Sequence, residues 1–111
     1  MTELEQLREQ KKQYEEAIAI RNAIRRLESN SDFKKVIMEL FCTEECARYV
    51  QLSVNINLPS ENRDWALQMA QSAGLLKEFL TVKITQGNHA ENDMLKLDEA
   101  IEKEEGSLDE W

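Results

Sequence analysis

Apolar residues recur at helical spacing along most of the chain, and the longest uninterrupted row lies between Ser60 and Gln86. Trp65, Met69, Ala73, Leu76, Leu80 and Ile84 step by four or three, while Ala66, Leu75, Phe79 and Val82 widen the stripe. This spacing predicts a core helix around which the remaining segments pack. Pro59 ends the preceding segment, Ser60 is placed to cap, and Glu61 and Asp64 suit the positive end of a helix dipole. Gly87 is predicted to end the helix, and Gly87 and Asn88 to separate it from a last helix over about 89–105.

The first helix is predicted from Thr2 to about Glu28, with Thr2 as cap and Glu5 three residues later. Its apolar row is thin and changes phase. Leu4, Leu7, Lys11 and Tyr14 follow one heptad, then Ala17, Ile20, Ile24 and Leu27 follow another, a stammer that overwinds a coiled coil locally. Two packing roles are expected from this: Leu4, Leu7 and Tyr14 reach a partner, and residues 18–27 pack on the body. After Ser29, Asn30 and Ser31, a helix capped by Ser31 or Asp32 carries Phe33, Val36, Ile37, Leu40 and Phe41 as a core face. It is expected to kink at Cys42 and Thr43 and to restart through Ala47, Tyr49, Val50 and Leu52. The segment 53–60 alternates apolar and polar residues but finds no partner strand, so it is expected as an extended connector with Val54, Ile56 and Leu58 plugging gaps.

Glycine and proline together number 4 in 111 residues, which reinforces a helical reading. The expectation is an all-α fold: a small bundle of four to five helices with a long N-terminal helix and an acidic C-terminal helix. Its divisions are 1–28 for docking or oligomerisation, 29–105 for the helical body and 106–111 for an acidic tip. No apolar run approaches the roughly 20 residues of a membrane span, and the polar start MTELEQLREQKK does not read as a signal peptide. No membrane association is expected.

The charge of −8 is unevenly spread. Residues 88–111 hold 9 acidic and 2 basic side chains, net −7, whereas residues 1–87 hold 13 and 12, net −1. Phosphate binding needs clustered lysine and arginine, so this balance argues against nucleic acid and favours docking on a basic protein surface. The one basic concentration is Arg21, Arg25, Arg26, Lys34 and Lys35, which the acidic last helix is expected to meet by folding back, or another subunit's tail to meet. That last helix shows a single narrow row of Ala90, Met94, Leu97 and Ile101, and beyond it Leu108 and Trp111 stand as apolar residues in the acidic tip.

Candidate chemistry is sparse. Cys42, Cys46 and the lone His89 leave a zinc site one ligand short, so a buried reduced pair is expected and no metal. Glu15 with Glu16, Glu44 with Glu45 and Glu104 with Glu105 are sequence neighbours that point to different helix azimuths, which does not suit an acid/base pair. No glycine-rich phosphate loop, nucleophile elbow or HExxH occurs. No catalytic, cofactor-binding or metal residue is assigned. The candidate partner-binding residues are Leu4, Leu7, Tyr14, Met94, Leu97, Ile101, Leu108 and Trp111; Trp111 after Asp109 and Glu110 resembles the acidic tips with which some single-stranded DNA-binding proteins recruit partners.

Several stretches resemble small acidic helical proteins encoded by tailed bacteriophages: residues 31–37 (SDFKKVI), Phe41 before 44–48 (EECAR), 75–80 (LLKEFL) and 87–91 (GNHAE) ahead of an acidic helix. The similarity covers roughly residues 24 to 105. Where such proteins have a proline-rich connector this chain has only Pro59, and Cys42 and Cys46 are not part of the pattern. The resemblance implies a phage-encoded protein of head or tail assembly, with no catalytic residues to carry over.

The expected function is therefore a non-enzymatic phage structural or assembly protein working through protein–protein contacts. Its partners would be itself, as a homo-oligomer, and a virion component such as a portal, capsid or tail protein. It would reside in the host cytoplasm during assembly and then in the virion. The alternative is an acidic anti-defence or host-takeover inhibitor that occupies a nucleic-acid-binding surface, with the carboxylates of residues 91–110 as phosphate surrogates.

Overall fold

The computed structural model describes the chain from Thr2 to Asp109, with side chains from residue 2 to residue 107. The described residues are all-α, 92% helix without a strand, and form three helices rather than the four to five expected. They are α1, Glu3–Ser29; α2, residues 31–53; and α3, Ser60–Asp109. Two compact units result. One joins residues of 1–24 to residues of 82–111, and the other is Arg25–Thr81.

Helix α1 begins as the sequence indicates: Thr2 Oγ1 accepts from the Glu5 N–H at 3.1 Å. The side chains turned inward are Leu4, Leu7, Lys11, Tyr14, Ile18 and Arg21, buried or half-buried at steps of three and four. The first heptad runs on to Arg21 and the row changes phase there, later than expected: Ile24 is buried, whereas Arg25, which the heptad would call for, is exposed. Arg21, only 3% exposed, takes the position that the apolar reading gave to Ile20, which is 45% exposed. A guanidinium has replaced a hydrocarbon in the seam.

The turn between α1 and α2 is held by Asn30, not by Ser31 or Asp32: its side-chain oxygen accepts from the N–H groups of Asp32 and Phe33, both at 3.0 Å. Helix α2 then winds as a π-helix over Lys34–Glu45 and returns to α over Cys46–Ser53. Bonding to the fifth residue widens each turn, so the inward row steps by four and five through Phe33, Ile37 with Met38, Cys42 and Cys46. Val36 and Leu40, expected in the core, are turned out at 52% and 43% exposure. The kink expected at Cys42 and Thr43 is taken up by this winding, and the Thr43 hydroxyl donates to Met38 O at 2.9 Å. Residues 54–59 form a turn in which the Asn57 N–H donates to Asn55 Oδ1 at 3.0 Å. Val54 and Ile56 do not plug gaps there but lie exposed; only Leu58 is half-buried.

Helix α3 starts at Ser60, where the Pro59 carbonyl accepts from the Asn62 and Arg63 N–H groups. It passes through Gly87 and Gly106 without a break, so the core helix and the acidic helix are one. Ala66, Ala73, Leu80, Gly87, Met94 and Ile101 step by seven, each buried or half-buried, the period of a coiled-coil seam. The expected row is largely the buried one, with Ala66, Ala73 and Leu80 buried and Met69, Leu76 and Ile84 half-buried, but Ala70 joins it, whereas Trp65, Leu75, Phe79 and Val82 are exposed. In the unit Arg25–Thr81, Tyr49, Ala66 and Ala70 form the core with Cys46, Leu52 and Met69 packed on them. Small residues on α3 admit α2 closely there. The Cys42 thiol donates to Ala73 O at 3.9 Å and the Cys46 thiol to Ala70 O at 3.7 Å, which sets the two helices antiparallel.

Candidate functional site: a charged helix seam

The densest polar arrangement is the seam between α1 and the second half of α3. Arg8 pairs with Glu105 at 2.9 Å, Lys11 with Asp98 at 2.8 Å and Arg21 with Glu91 at 2.7 Å. Ascending numbers on α1 meet descending numbers on α3, so the helices run antiparallel. Glu91, Asp98 and Glu105 are themselves seven apart, a carboxylate stripe beside the apolar one. The acidic segment thus meets a basic series on α1, as expected in kind; of the five bases singled out in the sequence, Arg21 is in this seam.

Arg21 is the centre of the seam. Its Nη1 donates to Gly87 O at 3.4 Å, Asn88 Oδ1 at 3.1 Å and Glu91 Oε2 at 2.7 Å. Nε and Nη2 both reach Asn22 Oδ1, at 3.2 and 3.0 Å. A buried guanidinium is tolerated when its donors are used and a carboxylate is near. Gly87 makes the approach possible: a Cβ there would overlap Arg21 Cβ and stand 2.9 Å from its Cδ and 3.0 Å from Ala17 O. Beside it, the Asp98 carboxylate accepts from Lys11 and raises the ammonium pKa above its ordinary value, mainly through that hydrogen bond and then through charge.

The predicted partner-binding residues sort unevenly. Leu4, Leu7 and Tyr14 lie in the same α1 row as Lys11 and Arg21, whose side chains reach α3, so they share the face turned toward that helix; all three are half-buried. Leu97 and Ile101 are each 7% exposed, and Met94 is half-buried, on the matching row of α3. Pairing within the chain brings these six residues into one unit and explains how a thin α1 row is covered. The side chain of Leu108 and all of Trp111 lie outside the described residues.

Cys42 and Cys46 are free thiols, the first buried and the second half-buried, as expected for a reduced pair. Burial pushes the Cys42 thiol above its ordinary pKa of 9.0, with nearby Lys77 opposing, so it is a poor nucleophile. Tyr49 meets Trp65 edge to face with centroids 5.4 Å apart, and the Arg48 guanidinium lies 4.9 Å over the Tyr49 ring while holding Glu45 at 2.6 Å. The hydrogen bond to Glu45 raises the Arg48 pKa. His89 is an exposed residue inside α3 rather than at a helix start. Among the described residues no three His, Cys, Asp or Glu side chains are grouped to hold a metal ion, and no helix is long and apolar enough to cross a membrane.

The sequence reading missed Arg21 and Gly87 as a pair. A signal existed: continuing the Leu4, Leu7, Lys11, Tyr14 heptad lands on Ile18 and Arg21. No family model matches this chain, and neither the curated proteins nor the solved structures contain a match to it.

Proposed function

We propose that the chain is a non-enzymatic phage structural or assembly protein that works through protein–protein contacts with a virion component such as a portal, capsid or tail protein. The observation that supports it is the surface. Thirteen large apolar side chains are exposed among the described residues, while the buried apolar set is four alanines with Ile24, Leu80, Leu97, Ile101, Cys42 and Tyr49. Apolar surface in that proportion suits contact with other proteins. The phage assignment itself comes from the resemblance over residues 24 to 105.

Mass spectrometry of purified particles against infected-cell lysate tests this reading. The tryptic peptide from Asp64 to Lys77 is expected in intact particles, or in assembly intermediates, at a copy number that fits a ring symmetry. Its absence from both, with abundance early in the lysate, would sink the assembly role.

The acidic-inhibitor reading draws on the exposed carboxylates Asp93, Glu99 and Glu102. It is the weaker of the two, because Glu91, Asp98 and Glu105 are engaged by bases of the same chain. Binding to a basic host protein that falls steeply with salt, and that is lost on removing residues 88–111, would favour it.

A further inference from the structure

Within the unit Arg25–Thr81, helix α3 carries a second row at coiled-coil spacing. Trp65, Gln68, Ser72, Leu75 and Phe79 step by three and four, and all five are exposed, Leu75 most at 69%, then Phe79 at 54% and Trp65 at 52%. At 3.6 residues per turn they occupy an arc of about 80°, centred about 120° round from Ala73. Ala73 and Ala70 meet α2 through the two cysteine thiols, so the second row lies on a flank of α3 that α2 does not cover. It contains no charged side chain. The Ser72 hydroxyl donates to Gln68 O at 2.8 Å, which lets it enter an apolar seam with its donor used. Trp65 is held edge to face on Tyr49, so the largest ring of the row is already oriented.

We infer that this row pairs antiparallel with the same row of a second copy, α3 against α3. In a two-fold pair, if one residue faces another across the axis, the reverse contact follows. Setting Ser72 against Leu75 of the second copy sets Gln68 against Phe79, so that each layer opposes a slender side chain to a bulky one. Leu75, the most exposed of the row, then stands beside the two-fold axis, and a Trp65 closes each end. The flanking positions agree with this register. Met69 meets Leu76 of the second copy along one edge, both half-buried, and Gln71 meets Glu78 along the other, both exposed; no like charges are opposed. The unit as a whole holds 8 acidic and 7 basic side chains, net −1, whereas the other unit carries net −7, so two copies approach through this one with little repulsion. Full side-chain areas of roughly 150–250 Å², scaled by the exposures of Trp65, Leu75 and Phe79, give on the order of 300–400 Å² of apolar surface per copy, to which Met69 and Leu76 add. A standard interface buries about 800 Å² per partner, about 56–65% of it apolar, which places this pairing at the small end of that class.

The pairing stands on this row and does not depend on a role in phage assembly; particle proteomics tests that role and solution mass tests the pairing. Sedimentation velocity and native mass spectrometry of the full chain across micromolar concentrations should find a species of twice the 12.9 kDa chain mass. Leu75→Glu brings two carboxylates together beside the axis at an exposed position, so the helical circular dichroism signal should persist while the dimer dissociates about 100-fold more readily. Ser72→Leu, which gives its layer a leucine from each copy, should tighten the dimer. Leu67→Glu, on the same helix but outside the row and 46% exposed, should leave it intact. A wild-type chain that stays monomeric would overturn the inference. So would a dimer that survives Leu75→Glu, one that Ser72→Leu does not strengthen, or one that Leu67→Glu disrupts equally.

Discussion

Arg21 and Gly87 face one another across the α1–α3 seam so closely that the arginine stem fills the space a Cβ at position 87 would need. The guanidinium caps the contact by donating to the Gly87 carbonyl, Asn88 and Glu91. A large buried side chain and an absent one are two halves of one fitting. This fixes which turn of α3 meets which turn of α1, because α3 offers no second glycine in its seven-residue row.

Gly87→Ala follows directly. In an exposed helix interior the change should stabilise by about 0.5–1 kcal/mol, since glycine carries the larger backbone entropy cost. At Gly87 it should destabilise by about 1–3 kcal/mol, the usual cost of overpacking. Gly74→Ala and Gly106→Ala, where a Cβ meets nothing within 4 Å, are the controls and should show the favourable sign. Urea titrations of the three variants check the opposition of signs; a stabilised Gly87→Ala would mean that the seam is looser than described.

Arg21→Lys tests the guanidinium itself. Lysine keeps the charge but presents one ammonium where Arg21 uses three nitrogens toward four partners. The expected loss is about 1–3 kcal/mol, in the range for a buried polar group left underpaired. Glu91→Gln should cost less than about 1 kcal/mol, because the Glu91 side chain is 62% exposed and retains water. If the two variants are equally stable by thermal unfolding, Arg21 serves as hydrocarbon packing rather than as a hydrogen-bonding centre.

These residues also show what could be read from the amino acids and what could not. The all-helical class, the Thr2 cap and the reduced cysteine pair rest on local patterns, and all appear in the structure. Gly87 was expected to end a helix because glycine favours C-termini; its use here is close approach, which depends on a residue 66 positions away. Arg21 was one of five bases expected to meet the acidic last helix or another subunit's tail, and nothing local singles it out from Arg25, Arg26, Lys34 and Lys35 as the one whose guanidinium is buried against the Gly87 carbonyl. Val36 and Leu40 left the core because α2 winds with wide turns, and no residue in the segment from Lys34 to Glu45 announces that winding. Capping chemistry was legible at Thr2 and one residue off at Asn30; long-range fitting was not.

Leu4→Glu with Leu7→Glu addresses the α1 row. On the sequence alone this pair was expected to reach another molecule, but in the structure it shares the face that carries Lys11 and Arg21 to α3. The double change should therefore loosen the unit built from 1–24 and 82–111. Faster amide hydrogen exchange is expected across residues 94–105, with 60–73 unaltered. Exchange that stays slow throughout, combined with loss of a larger assembly, would return these leucines to intermolecular docking.

The alkaline limb of stability follows from Cys42 and Lys11. Both folded-state pKa values are raised, the thiol by burial and the ammonium by Asp98. Below the ordinary thiol value of 9.0 the Cys42 group is neutral folded or unfolded, so stability is insensitive to it. Above that value the unfolded chain ionises first, and the stability associated with the buried thiol is lost as pH rises through the raised pKa. Lys11 behaves with the same sign from its ordinary 10.5 upward, because the folded state holds its proton longer. Stability should therefore fall above pH 9, and Cys42→Ala should flatten the first part of that fall while Asp98→Asn flattens the later part. Alkylation provides an independent reading: with both thiols free, iodoacetamide at pH 8 should label half-buried Cys46 well before Cys42. Equal labelling rates in the folded chain would show that α2 opens from α3 faster than the reagent reacts, and would remove the burial on which the alkaline prediction rests.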